Sequence, residues 1–280
     1  GEVIYNGGLG LGTVAVRRVR RHERNGSAYN IATAKDQLVE DSKFGPRVRF
    51  WGELQSEGIP NATSVHRDNT YEDCRTGAGC LALAVDSESN LVEGQTWMWK
   101  NNSFNLTGST NPHFLLESGP YDFHLTNNTF KGGKLWFANP GGGNELATLH
   151  VSENTHDAEE GHPFTFQNGQ YQGQIISNTF SNVKSTYRVA GGPRLEGLVI
   201  TENTFDGSAD VSKGGSGASV WPLLQDNNYI NADIPRTTLF GDWTIGVYSE
   251  RNQVIGGGGT AYNAELAVDA SDGQRVYLVG

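Results

Sequence analysis

Five side chains able to bind a metal or move a proton fall within seven residues of "NTHDAEEGH", Asn154 to His162. Imidazole nitrogens and carboxylate oxygens are the donors that zinc-type sites and proton-transfer steps use. His156, Asp157, Glu159 and Glu160 are therefore a candidate metal cluster, and His162 a candidate acid or base. Their spacing matches no specific ligand motif, and a polar loop accounts for the same residues.

Shortly afterwards "NVKSTYRVAGGPR" brings Lys184, Tyr187, Arg188 and Arg194 together. β-Elimination of a uronate needs a base for the proton beside the carboxylate and a cation to stabilise the enolate that forms. Lys184, Tyr187, Arg188 and His162 are the catalytic candidates for that step. Lys134, Trp136, Gln167 and Arg194 are the substrate-binding candidates, because aromatic faces stack on sugar rings and cationic forks pair with carboxylates. No cofactor is required; Ca²⁺ is the ion that this chemistry could recruit, although no clear aspartate set for it is present. Basic surface residues without a catalytic part explain the same composition.

A third group is His124 and His150, which lie four residues before the recurring asparagines Asn128 and Asn154. They should stack outward. Zinc would need further ligands, and the equivalent positions, Met98, Gln174, Val199 and Leu224, do not complete a set, so a structural stack is the expectation.

Stepping outward from these residues, the recurring asparagine shows what must position them. It returns at Asn102, Asn128, Asn154, Asn178, Asn203, Asn228 and Asn252, with spacings of 26, 26, 24, 25, 25 and 24 residues. A fixed period of this size marks stacked repeats. Before the asparagines, apolar residues alternate as in a half-buried strand: Trp97 and Trp99; Tyr121, Phe123 and Leu125; Ala147, Leu149 and Val151. Two residues after them come Phe104, Phe130, His156, Phe180, Phe205, Ile230 and Val254. Coils of short strands would stack these residues about 4.8 Å apart as an internal column. The asparagine suits the turn, since it tolerates the left-handed backbone and its amide can both donate and accept along a stack. The fold class expected is all-β, a right-handed parallel β-helix of about 25 residues per coil with an asparagine ladder.

This arrangement resembles the pectate-lyase-like superfamily over roughly residues 60 to 280. The resemblance implies a polysaccharide or cell-surface glycan as partner, and it spans lyases, hydrolases, epimerases, phage tailspikes and adhesins, so it does not select one activity. A tailspike-type member implies a homotrimer. Residues 1–60 lack a clean repeat and read as irregular opening coils or a cap, with residues 61–280 as one continuous β-helix.

Composition narrows the classes further. The net charge of −10 argues against a general nucleic-acid binder, which needs a basic surface. "VRRVRRHER" places five arginines in nine residues and reads as an exposed edge strand or a docking patch for an acidic polymer. Cys74 and Cys80 flank "RTGAG", a loop short enough for a disulfide to close, with free thiols the alternative. Triplets permitting glycosylation occur at Asn25, Asn61, Asn101, Asn105 and Asn127, as chance allows in an Asn/Thr-rich repeat. No apolar run is long enough to span a membrane. No signal peptide is visible, and the glycine tract Gly256 to Gly259 followed by "QRVYLVG" suggests that the last coil continues into something further.

The expected function is an extracellular or virion-surface β-helix that binds a glycan or receptor or serves structurally. The alternative is a polysaccharide lyase acting on acidic glycans, preferred over a glycoside hydrolase because paired-aspartate motifs are missing.

Overall fold

The computed structural model describes residues 13–19, 36–44, 50–51, 63–71, 83–85, 95–107, 112–116, 121–132, 134–138, 146–159, 161–185, 187–191, 193–207, 212–214, 222–230, 248–250 and 253–255. Cys74, Cys80, Glu160 and the segment after Ile255 lie outside them. The chain is a parallel β-solenoid with about 26 residues per turn. Described strands form three sheets: a first of ten strands, a second of nine and a third of seven. Every pairing is between strands one coil apart and parallel, as in Tyr121–Thr126 on Leu146–Ser152. No helix among the described residues is long and apolar enough to cross a membrane.

One coil shows how sequence becomes structure. In Tyr121–Thr126 the residues Tyr121, Phe123 and Leu125 point inward and are buried, while Asp122, His124 and Thr126 alternate outward. The chain turns at Asn127–Asn128, enters the second sheet at Thr129–Gly132, and enters the third at Lys134–Ala138. It returns to the first sheet at Leu146–Ser152. A one-residue slip would exchange the buried and outward sets, so register is strongly fixed.

The asparagine ladder fixes it. From Asn69 to Asn203, the backbone N–H and the side-chain Nδ2 of each rung both donate to Oδ1 of the rung one coil later. For Asn128 these bonds to Asn154 are 2.8 and 3.0 Å; for Asn154 to Asn178 both are 2.9 Å. The same pattern joins Asn69 to Asn102 and Asn203 to Asn227. Nδ2 donates additionally to main-chain carbonyls, as from Asn154 to Leu125 and Ser152. Buried amides thereby find partners that would be costly to lose.

Two expectations change here. The rung is Asn227, fully buried, and not Asn228, which starts the strand Asn228–Ile230. Tyr229, not Ile230, accordingly occupies the aromatic column, and Leu223, not Leu224, follows Val199 in the outward column. The paired "NN" hid this, because either asparagine fits a period near 25. Secondly, the left-handed backbone belongs to the residue before each rung: Asp68, Asn101, Asn127, Glu153, Ser177, Glu202 and Asp226 have φ between 51° and 57°. The rung itself is selected for its amide.

Ahead of Asn69 the ladder continues with a different residue. Ser42 N–H donates to Asn69 Oδ1, and Ser42 Oγ accepts from the Val19 N–H. The strands Thr13–Arg17 and Asp36–Glu40 join the first sheet, so described parts of the first 60 residues are coils of the same solenoid. Arg17, from the arginine-rich run, lies on that sheet's described edge and pairs with Glu40, which also receives Arg67 Nε at 2.7 Å.

Inside, Phe44, Tyr71, Phe104 and Phe130 stack face to face, with centroids 5.2, 4.7 and 4.7 Å apart. Phe180, Phe205 and Tyr229 resume the stack. Such contacts add to the burial that supplies most of the stability.

Candidate functional site

On the outer face of the first sheet, His124 lies against His150 with ring centroids 4.4 Å apart and planes within 14°. The ladder puts them there: Asn128 and Asn154 are 26 residues apart, as are the histidines, and the strands pair His124 with His150 without a shift. The expected outward stack is therefore present. A third donor joins it. Asp122 sits two residues before His124 on the same face, with Oδ2 3.1 Å from His124 Nε2 and Oδ1 3.3 Å from His150 Nε2.

The ligand atoms of these three residues all lie within 4.8 Å of one another. Asp122 Oδ1 is shielded from solvent and makes no hydrogen bond of acceptable geometry, despite its 3.3 Å approach to His150. The side chains of His124 and His150 are 29% and 46% exposed, so the cluster is open to solute. Neighbours in the register rows are Met98 and Gln174 beside the histidines, and Thr96 and Thr148 beside Asp122. Two imidazoles and one carboxylate are a donor set able to hold a transition metal.

Sequence reasoning found the histidines but missed Asp122. The histidines are linked by the coil repeat, whereas Asp122 joins them through the period of two along a single strand, which returns to the same face.

The other expected site residues divide differently. His156 is fully buried inside the aromatic column, edge-on to Phe130 and Phe180, with Nε2 3.2 Å from the Gly132 carbonyl. It faces the core, whereas Asp157 on the same short strand faces the other way, so the two cannot converge on one ion. Asp157 instead accepts from Asn182 Nδ2 and from the Glu159 N–H, bracing the turn. The expected His156–Asp157–Glu159–Glu160 metal cluster is thus corrected to a core histidine and a turn brace, with Glu160 outside the described residues.

Tyr187 is also corrected: it is buried against Phe166, and burial raises its hydroxyl well above the usual tyrosine range, with Tyr229 adding to the rise. A base that must face substrate cannot sit there. His162 is half-buried, with Nδ1 2.6 Å from Ser185 Oγ. Ser185 is itself buried and donates to the Tyr187 carbonyl, so the pair braces adjoining turns and does not present a nucleophile.

The remaining candidates are surface-placed or share register rows. Lys184 is exposed one coil beyond His162, its N–H donating to the Gly161 carbonyl. On the third sheet Trp136 pairs with Thr165, and Thr165 pairs with Arg188, giving one row across three successive strands. Gln167 lies two residues beyond Thr165, and Lys134 two before Trp136. Arg194 is exposed and opens the strand Arg194–Thr201 of the first sheet, in register with Gln170. The structure therefore keeps Trp136, Gln167 and Arg188 on one sheet and leaves Arg194 on another.

No protein-family description, curated protein or solved structure matches the chain.

Proposed function

We propose that the protein is a glycan- or receptor-binding β-helix of the surface-displayed kind, related to the pectate-lyase-like superfamily and its tailspike-type members, acting outside the cell or on a virion. The observation that carries this reading is the row Trp136–Thr165–Arg188 on the third sheet, with Gln167 beside it. The row brings together two residue types that an acidic sugar chain uses, an aromatic for ring stacking and a guanidinium for carboxylate pairing, on either side of the buried Thr165. A hydrogen-bonded solenoid holds such a row without the ordering cost that a flexible loop would bring.

For the lyase alternative, Tyr187 is enclosed in the core, whereas Lys184 is exposed and His162 and Arg188 are half-buried. A proton-abstracting group must come within hydrogen-bond reach of its substrate.

Surface plasmon resonance over immobilised uronate polymers tests the binding reading. Wild-type protein should be retained, and Arg188→Ala and Trp136→Ala should each weaken retention at least about 5-fold, about 1 kcal/mol, as loss of one such contact does. Tyr187→Phe should change nothing. Full retention by both row variants would sink this surface as the binding face.

A further inference from the structure

We propose that Asp122, His124 and His150 bind one divalent ion of the zinc and copper class on the outer face of the first sheet. This goes beyond the glycan reading and uses a different sheet. The donor set selects the ion class: imidazole suits zinc, copper and nickel, whereas Ca²⁺ and Mg²⁺ prefer cages made of oxygen.

The distances suit such an ion. A tetrahedral zinc with bonds of about 2.0 to 2.2 Å holds its ligand atoms roughly 3.3 to 3.6 Å apart. The imidazole–carboxylate separations are 3.1 Å from His124 to Oδ2 and 3.3 Å from His150 to Oδ1, and one donor atom from each of the three residues lies within 4.8 Å of the others. Gathering the three donors on one ion needs small side-chain rotations, and both imidazoles are outward side chains, 29% and 46% exposed. Asp122 supplies a second argument. Its Oδ1 is hidden from solvent and lacks a well-directed hydrogen bond although His150 Nε2 approaches to 3.3 Å, while the side chain as a whole is 41% exposed. A bound cation would satisfy that oxygen.

Three protein ligands leave one coordination position facing outward, where water or a donor from a partner can enter. His124 and Asp122 come from one coil and His150 from the next. The ion would therefore clamp adjacent coils as well as offer an open site.

Calorimetric titration of chelator-treated full-length protein with Zn²⁺ tests the proposal. One saturable site per chain is expected, unaffected by excess Ca²⁺, and Cu²⁺ should bind more tightly. His124→Gln and His150→Gln should each weaken Zn²⁺ at least about 10-fold. Glutamine already occupies the same outward column at position 174, so the metal-free variants should keep the wild-type melting temperature. Electron paramagnetic resonance of the Cu²⁺ form gives a readout independent of affinity: coupling to two imidazole nitrogens in the wild type and to one in either variant. Failure to see saturable binding, binding unchanged in both variants, or effective competition by Ca²⁺ would overturn the proposal.

Discussion

His66 lies face to face with Trp99, ring centroids 3.8 Å apart and planes within 11°, in a fully enclosed position of an early coil. Ser64 Oγ is 3.1 Å from its Nε2, and the Tyr71 hydroxyl is 3.3 Å from its Nδ1. Burial disfavours the imidazolium and pushes the pKa down from 6.5 to about 3. Above pH 6.5 both folded and unfolded chains hold a neutral ring, so no penalty exists. Below it the unfolded state takes up the proton first, and stability falls progressively until pH reaches about 3. At roughly 1.4 kcal/mol per pH unit, about 2 kcal/mol should be lost between pH 6.5 and 5. Urea midpoints across this range should fall less steeply in His66→Phe than in the wild type. Equal slopes would show that this ring titrates freely.

Asn154→Ala should cost about 3 kcal/mol or more. It removes the acceptor for two donors of Asn128 and the donor that reaches Asn178, Leu125 and Ser152, leaving several enclosed groups unpaired at about 1 to 3 kcal/mol each. Asn154→Asp should also destabilise, because it keeps the acceptor and loses the donors. Chemical denaturation of both variants distinguishes a working ladder from a decorative one: a loss below about 1 kcal/mol for the alanine variant would contradict it.

Glu153→Asn should stabilise by about 0.5 to 1 kcal/mol. Glu153 holds a φ of 57°, a conformation that asparagine tolerates better than glutamate. An exposed row already runs from Asn127 Nδ2 to Asn101 Oδ1 at 2.9 Å and from Asn101 Nδ2 to Asp68 at 3.1 Å. Asparagine at 153 would extend it by one member. Thermal melting should show an upward shift, and a downward one would refute the strain argument.

Gly173→Ala should destabilise by about 1 to 3 kcal/mol. Gly173 has a φ of 106°, and a Cβ there would meet the Leu149 carbonyl oxygen at 2.1 Å. It marks the place where the first sheet's inward column narrows between Leu149 and Leu198. An unchanged melting temperature would mean that the coil can shift without cost.

What the sequence made legible follows from what was periodic. Tyr121, Phe123 and Leu125 alternate, the asparagines recur, and both patterns appear in the structure as buried columns. The histidine stack was legible for the same reason, since 124 and 150 differ by one coil. Asp122 was overlooked because its link to His124 is local to one strand. His156 misled in the opposite sense: a polar residue beside Asp157 and Glu159 reads as part of a surface cluster, yet the column position it fills is an inward one. Position within the repeat outweighs the character of sequence neighbours. Asn227 and Asn228 are indistinguishable by type, and burial, register and hydrogen bonding to Asn203 separate them.

The proposal that this solenoid holds a glycan without cleaving it is tested by following one sample for both events. The protein is incubated with a panel of acidic polysaccharides, with and without Ca²⁺. Co-sedimentation reports retention, and ultraviolet absorbance reports the unsaturated uronate that β-elimination creates. Saturable retention on at least one polymer and no rise in absorbance on any are expected. A rise that scales with protein concentration would contradict the proposal and restore the lyase reading; absence of retention on every polymer would contradict it from the other side.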